Sequence, residues 1–179
     1  EVRRCLFRAV RVTGPGPIGP SSVAAAVAAG AAEVHATDVL EGPLSRATEL
    51  GAHTTYNVTR DEIPTSAFDV VLECSGVSVS VSAAFVAAKT AGTVVQVGMV
   101  PNEPRPVNLA PFISKELRVF GTFRFNDEID AAITLLDAQP QIESVITHEV
   151  PADNTVEAFG FARDSQASGK VVVAVWPEN

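Results

Sequence analysis

Three glycines near the start of the chain have a spacing that can bind a dinucleotide. Gly14, Gly16 and Gly19 follow the pattern G-x-G-x-x-G within the stretch TGPGPIG. In a dinucleotide site the first glycine permits a tight turn and the second lets a pyrophosphate approach the backbone. The third lets a helix pack closely on a strand. The same spacing occurs in ordinary turns, so its chemistry depends on the elements on either side.

An aspartate follows the glycine loop at the distance expected for a residue that binds ribose. Asp38 comes after the stretch EVHAT, where a dinucleotide site has an acidic residue about 20 residues beyond the loop. A carboxylate there accepts hydrogen bonds from ribose hydroxyls and repels a 2′-phosphate, which favours NAD over NADP. The alternative interpretation of Asp38 is a helix cap or a turn residue.

Strand and helix patterns alternate around these residues. Arg8–Thr13 is predicted as a strand and Ile18–Ala29 as a helix closed by Gly30, so the glycine loop joins a strand to a helix N-terminus. The further predicted strands are Val34–Thr37, His53–Val58, Phe68–Glu73, Thr93–Gly98 and Leu117–Phe123. The further predicted helices are Leu44–Leu50, Ser80–Lys89 and Asp127–Gln139. This alternation predicts an α/β fold with a doubly wound parallel sheet, the Rossmann architecture.

The last forty or so residues follow a different pattern. They predict a strand, a helix capped near Asn154, and a final strand at Lys170–Val175. We expect this strand–helix–strand segment to lie outside the main sheet and to return toward a companion domain. The predicted organisation is a remnant of a preceding region at 1–7, an NAD-binding domain at 8–141 and a C-terminal segment at 142–179.

The composition and net charge of the chain limit the kinds of partner that it can bind. The 179 residues are 46% apolar and 19% charged, which indicates a globular chain with a real core. A net charge of −8 argues against nucleic acid, and apolar runs such as Val23–Ala29 are too short to span a bilayer. The two cysteines, Cys5 and Cys74, form no disulfide framework. We therefore expect a cytoplasmic protein with a small-molecule partner.

Several longer stretches resemble one enzyme family. VTGPGPIG, FDVVLECSG and GTVVQVG resemble the cofactor domain of the zinc-dependent medium-chain dehydrogenases. The stretches RPVNLAPFISKELRVFGTFRF, ITHEVPADNTVEAF and DSQASGKVVV extend the resemblance to about Val175 and narrow it to the polyol branch, that of sorbitol dehydrogenase and L-idonate 5-dehydrogenase. The resemblance implies NAD as cofactor, a secondary alcohol of a polyol or sugar acid as substrate, and a homodimer paired through a sheet edge.

The resemblance also implies a role for individual residues. The residues that match the pyrophosphate loop are Gly14, Gly16, Pro17, Ile18 and Gly19, and Asp38 matches the ribose carboxylate. Ser75 and Gly76 match positions beside the adenine end of the cofactor. The positions that contact the nicotinamide end are matched by Val97, Gly98 and Met99.

Two further residues match positions near the nicotinamide amide and the substrate. They are Phe123 and Arg124, and a guanidinium there can hold the carboxylate of a sugar acid in a bidentate pair. The alternatives are a surface ion pair for Arg124 and plain core packing for Phe123 and Val97.

Two positions depart from the family pattern. Pro43 stands where the family often has an arginine five residues after the ribose aspartate, and Arg46 is the nearest substitute. Arg11 lies inside the first predicted strand, in a sheet covered on both faces, where a charge needs a partner.

No zinc-ligand pattern is present. The family holds its catalytic zinc on a domain that precedes the cofactor domain, whereas His35, His53 and His148 are scattered here without metal-ligand spacing. We therefore expect no catalytic or metal-binding residue in this chain, zinc only in a missing domain, and no activity from the chain alone. The alternatives are a stand-alone NAD-binding or regulatory module and another Rossmann enzyme, such as a methyltransferase. The intact glycine pattern argues against the methyltransferase.

Overall fold

The computed structural model describes residues 8–14, 16, 18–125 and 127–176. The strands of its main sheet are β1 (Ala9–Thr13), β2 (Glu33–Asp38), β3 (Thr54–Asn57), β4 (Phe68–Glu73), β5 (Ala88–Gln96) and β6 (Arg118–Gly121). Across the described residues these six strands pair in the order β3-β2-β1-β4-β5-β6, every pair parallel. The order reverses between β1 and β4, which places a crevice at the carboxyl ends of those strands.

Helices cover both faces of the main sheet. They are α1 (Gly19–Ala28), α2 (Glu41–Glu49), α3 (Ser78–Ala87), α4 (Ala110–Ser114) and α5 (Ile129–Ala138). One core contains Val12 and Val34 of the sheet with Val23 of α1, whereas the opposite core contains Val71 of the sheet with Phe85 of α3. The prediction of a doubly wound parallel sheet is therefore confirmed. Among the described residues, no helix combines the length and the apolar character that a membrane crossing requires.

The C-terminal segment forms a sheet of its own. Strands β7 (Ile146–Pro151) and β8 (Lys170–Ala174) pair in parallel, with α6 (Thr155–Arg163) between them in sequence. The predicted strand–helix–strand pattern and its separation from the main sheet are confirmed. Asn154 occupies the N-cap position, as predicted, although its side chain makes no capping hydrogen bond to the described residues. A short 3₁₀ turn precedes α6, and the Thr155 hydroxyl donates to the carbonyl of Ala152.

Element boundaries differ from the predictions where the backbone departs from regular geometry. The predicted helix Ser80–Lys89 already ends at Ala87, and β5 begins at the next residue. Ala91 has a φ of +57°, and the pairing of β4 with β5 shifts register between Phe68 and Val70. This irregularity divides β5 and explains why only its second half, from Thr93, reads as a strand in the sequence.

One guanidinium ties the C-terminal segment to the main domain. Arg46 of α2 donates from Nη1 and Nη2 to the backbone carbonyl oxygens of residues 165–168, at 3.1–3.4 Å. One turn earlier on the same helix, a Cβ added at Gly42 would overlap the carbonyl of Gln166. The loop that precedes β8 is thus held close against α2 by charge-assisted hydrogen bonds.

We expect loss of this guanidinium to destabilise the fold. Arg46→Met keeps the apolar stem but removes the donors of residues 165–168, which should lower the free energy of unfolding by about 1–3 kcal/mol. Arg60→Met is the matched control, because Arg60 is exposed and pairs with Glu41 across 3.0 Å at the surface. It should change the free energy by less than about 1 kcal/mol. Equal losses for the two variants in urea titrations would contradict the bridging role of Arg46.

Candidate cofactor site

The glycine loop forms a tight turn between β1 and α1. The N–H of Gly14 donates to the carbonyl of Thr37 on β2 at 2.9 Å, and the N–H of Gly16 donates to the carbonyl of Gly14 at 2.8 Å. Gly14 has a φ of +63°, and a Cβ added there would overlap the side chain of Ser75. Both the backbone angle and the space therefore demand glycine at position 14.

Gly16 lies on the open side of the loop. A Cβ added at Gly16 would meet no atom of the other described residues within 4 Å, so a ligand has room to approach its backbone. Helix α1 starts directly afterwards, with Ile18 at the N-cap and Gly19 as the first helical residue. No side chain caps this helix and its first turn contains no acidic residue, which leaves its N-terminal charge available to an anion. Pro17 lies outside the described residues.

A buried carboxylate organises the end of β4. Glu73 is fully buried and accepts hydrogen bonds from the hydroxyls of Thr13, Ser75 and Ser80, the N–H groups of Ser75 and Gly76, and the side-chain amide of Gln96. Burial raises the pKa of Glu73, but these hydrogen bonds outweigh it and leave the pKa below its usual value. Glu73 is therefore ionised at neutral pH, and it fixes the turn between β4 and α3.

Two glycines let the ends of β4 and β5 touch through their backbones. Gly76 has a φ of +69°, and a Cβ there would overlap the carbonyl of Met99. A Cβ at Gly98 would lie 2.6 Å from the carbonyl carbon of Cys74. The N–H groups of Val97 and Gly98 both donate to the carbonyl of Glu73 at 2.8 Å. The structure thus brings the predicted adenine-end and nicotinamide-end positions side by side, and it also packs Val97 against the core.

A cavity of about 370 Å³ opens between the ends of β1 and β2 and helix α3. The predicted residues Gly14, Asp38 and Ser75 line it. Val39 and Val77 also line it, with 55% and 53% of their surface exposed, so two apolar side chains are available to contact a flat ring. The sequence analysis did not single them out, although each directly follows a motif, Asp38 in one case and the Ser75–Gly76 pair in the other.

Asp38 lines the cavity, and the pKa of its carboxyl group is shifted. Its Oδ1 accepts a hydrogen bond from the N–H of Leu40 at 2.8 Å, so the turn role considered as an alternative is present. Burial raises the pKa of Asp38 above its ordinary value, against the opposing effects of backbone N–H groups and Arg46. The turn contact holds one carboxylate oxygen and positions the group at the cavity.

Arg46 does not take the place of the family's missing arginine. That expectation is wrong, because both terminal nitrogens of Arg46 are committed to the carbonyl groups of residues 165–168. Its Nε is buried and has no partner in the described part of the chain. Pro43, at the family's arginine position, is itself buried in the first turn of α2.

Arg11 has the partner that its buried position requires. Its Nε and Nη2 donate to the hydroxyl oxygen of Thr37 at 3.3 and 3.1 Å. Burial lowers the pKa of Arg11 to about 10, while Glu73 and Tyr56 act in the opposite direction. The guanidinium therefore stays charged at neutral pH, and it lines the cavity.

The two predicted substrate-side residues lie beyond the end of β6, not in the cavity. Phe123 is largely exposed, and the guanidinium carbon of Arg124 lies 5.1 Å from the centroid of the Phe123 ring. Arg124 thus makes a cation–π contact with the side chain that precedes it in sequence. Arg124 also has a φ of +58°, which is a strained conformation for a residue other than glycine.

The histidines and the described cysteine have structural contacts. His35 stacks on Tyr56, His53 accepts a hydrogen bond from the N–H of Val34, and His148 stacks on Phe161. Burial raises the pKa of Cys74 to about 11, as expected for an inert core thiol. Among residues 8–176, apart from the undescribed ones, no three His, Cys, Asp or Glu side chains converge on a possible metal site.

Comparisons with known proteins agree on one family. Residues 17–138 match the family model of the zinc-binding dehydrogenases. Sorbitol dehydrogenase from Bos taurus is 33% identical over 161 residues, which cover 84% of this chain and 45% of the bovine protein. Sorbitol dehydrogenase 1 from Saccharomyces cerevisiae is 33% identical over 168 residues, 85% of this chain and 47% of the yeast protein. The chain thus spans about half the length of the curated relatives it matches.

Solved structures give the same result. L-idonate 5-dehydrogenase from Escherichia coli superposes with a TM-score of 0.87 at 30% identity, over 98% of this chain and 51% of that protein. A structure from Sinorhizobium meliloti 1021 that is bound to NADP superposes with a TM-score of 0.80 at 27% identity, over 93% of this chain and 52% of that protein. The chain therefore belongs to the zinc-binding dehydrogenase family.

Proposed function

We propose that the chain binds NAD as the cofactor-binding half of an enzyme that oxidises a secondary alcohol of a polyol or sugar acid. The observation that carries the proposal is the cavity lined by Gly14 and Asp38, at the carboxyl edge of the sheet. The glycine loop that contributes Gly14 also presents the open backbone at Gly16, and it leads into the uncapped start of α1. Pyrophosphate, ribose and adenine would bind there in that order, with Ile18 and Gly19 at the pyrophosphate.

The preference for NAD over NADP rests on Asp38. Its carboxylate is suited to accept hydrogen bonds from two ribose hydroxyls and to repel a 2′-phosphate. Arg46, the nearest cation in sequence, is held by the loop at residues 165–168. The solved structure from Sinorhizobium meliloti 1021 is bound to NADP, so the preference for NAD is part of the proposal for this chain.

The nicotinamide end is assigned to the ends of β5 and β6. When bound, the nicotinamide supplies the acceptor for a hydride from the substrate carbon. We assign backbone contacts with this end to Val97, Gly98 and Met99, and one wall of the substrate site to Phe123 and Arg124. The Arg124 guanidinium is suited to a substrate carboxylate.

The proposal assigns zinc to residues outside this chain. Polarisation of the substrate hydroxyl then belongs to the other half of the enzyme, and the 179-residue chain alone is expected to be inactive. The net charge of −8 supports a small-molecule partner over nucleic acid or a membrane surface, and the two cysteines support a cytoplasmic location.

The glycine loop provides the direct test of the proposal. Gly16→Val should leave the fold intact, because no atom lies within 4 Å of the new Cβ, but should weaken binding of NAD at least about tenfold by blocking the pyrophosphate. Gly160→Val on α6 is the matched control, since a Cβ there also meets nothing within 4 Å. Isothermal titration calorimetry should separate the two variants. Unchanged NAD binding by Gly16→Val would show that the glycines form only a turn.

Acidification should remove ribose binding before it unfolds the protein. The pKa of Asp38 is raised, so its ionised form is lost at a higher pH than for an ordinary Asp. The pKa of Glu73 is lowered, so its stabilisation persists below its unfolded-state pKa and is lost only as the pH falls through its folded-state pKa. ADP-ribose affinity should therefore fall while the circular dichroism stays native. Asp38→Asn should bind weakly at every pH; affinity that persists until unfolding would contradict the ribose role.

The outer strand β6 supports the proposed homodimer. All four residues of Arg118–Gly121 are exposed at the edge of the sheet, including Phe120 with 55% of its surface accessible. An unpaired strand edge with exposed apolar side chains is suited to pair with a second copy. Sedimentation velocity should find a dimer that Phe120→Glu dissociates. A wild-type monomer at every concentration would exclude this assembly.

A further inference from the structure

The lining of the cavity contains a hydroxyl hydrogen that donates to no acceptor among the described residues. Thr37 lines the cavity although only 2% of its surface is accessible. Its hydroxyl oxygen accepts from both Nε and Nη2 of Arg11. Within the described residues, the hydroxyl hydrogen of Thr37 has no acceptor, and Nη1 of Arg11 has no hydrogen-bond partner.

Strand register explains why these groups meet. Arg11 lies opposite His35 and Thr13 lies opposite Thr37, and alternation puts Arg11, Thr13 and Thr37 on the same face of the sheet. The hydroxyl of Thr13 donates to Glu73 at 3.0 Å. No described carboxylate accepts a hydrogen bond from the Thr37 hydroxyl. The two donors of Arg11 occupy both lone pairs of the hydroxyl oxygen, so Thr37 can interact with a further group only by donating its hydrogen.

The cavity around this donor fits a flat ligand with a ring acceptor. The exposed side chains of Val39 and Val77 supply apolar surface, while Thr37 and Arg11 supply a hydroxyl donor and a buried positive charge. A purine has apolar faces and ring nitrogens, N1, N3 and N7, that accept hydrogen bonds in its plane. A buried donor left without an acceptor carries a penalty, and a ring nitrogen would remove it.

We propose that Thr37, oriented by Arg11, donates a hydrogen bond to a ring nitrogen of the adenine and so makes the cavity select the base. This inference rests on the proposed dinucleotide function and adds a specificity-determining contact to it. Thr37 contacts the base directly. Arg11 is a positioning residue, because it acts through the Thr37 oxygen.

The test measures binding of ADP-ribose and of its 1-deaza, 3-deaza and 7-deaza adenine analogues by calorimetry with the 179-residue chain. Each analogue lacks one ring acceptor, and together they cover all three. One analogue should bind about tenfold more weakly than ADP-ribose to the wild type. Thr37→Val should bind ADP-ribose about tenfold more weakly and lose the difference between the two ligands. Thr37→Ser, which keeps the hydroxyl, should retain that difference.

The experiment has a control variant, and three results would contradict the inference. Thr134→Val removes an exposed hydroxyl on α5 that donates to the carbonyl of Asp130, and it should behave as wild type. Equal binding of all four ligands by the wild type overturns the inference while leaving the proposed function intact, and this measurement needs no variant to fold. A persistent difference between the ligands in folded Thr37→Val also overturns it. Failure of ADP-ribose itself to bind overturns the proposed function as well.

Discussion

A buried carboxylate needs several hydrogen-bond donors. The donors to the Glu73 carboxylate come from separate parts of the chain. Thr13 ends β1, Ser75 and Gly76 form the next turn, Ser80 lies on α3 and Gln96 ends β5. An ion buried without such partners would cost several kcal/mol. Satisfying this charge therefore draws the ends of three neighbouring strands and one helix into a single arrangement, and the cavity lies beside it.

The glycines around Glu73 have two different structural roles. Gly14, Gly76 and Gly98 leave no room for a side chain, since an added Cβ would strike Ser75, Met99 and Cys74 respectively. Gly16 alone among these four faces open space. The familiar glycine pattern thus combines two different requirements. Its first glycine is needed for the fold, whereas its second is free to serve a ligand.

The sequence predicted the parts of the fold that depend on local pattern. The stretch FDVVLE at Phe68–Glu73 was predicted as β4 with its observed bounds, and the alternation of strands and helices predicted the doubly wound sheet. The five-residue helix α4 was missed because it is too short to show a period. The early start of β5 at Ala88 depends on a bulge against β4, which no local pattern encodes.

The residues of the candidate site likewise include some that were predicted from the sequence and some that only the folded structure identified. Gly14 and Asp38 were predicted from motif spacing and Ser75 from the family resemblance, and all three line the cavity. The partner of Arg46 lies about 120 residues away in sequence, so the contact was invisible until the chain was folded. Val39 and Val77 are ordinary β-branched residues, and only their place in the lining of the cavity distinguishes them.

The Arg46 contact also bears on how freely this fold can be divided or exchanged during evolution. Ile142 packs in the same core as Val12 and Val23, and the guanidinium on α2 is neutralised by carbonyl groups at residues 165–168. A nucleotide-binding unit cut before Ile142 would keep every glycine of its loop and the ribose aspartate. It would also expose part of its core and leave a cation on the helix that follows Asp38 without its acceptors. A recombination event that preserves these contacts must therefore carry the sheet and the strand–helix–strand segment together.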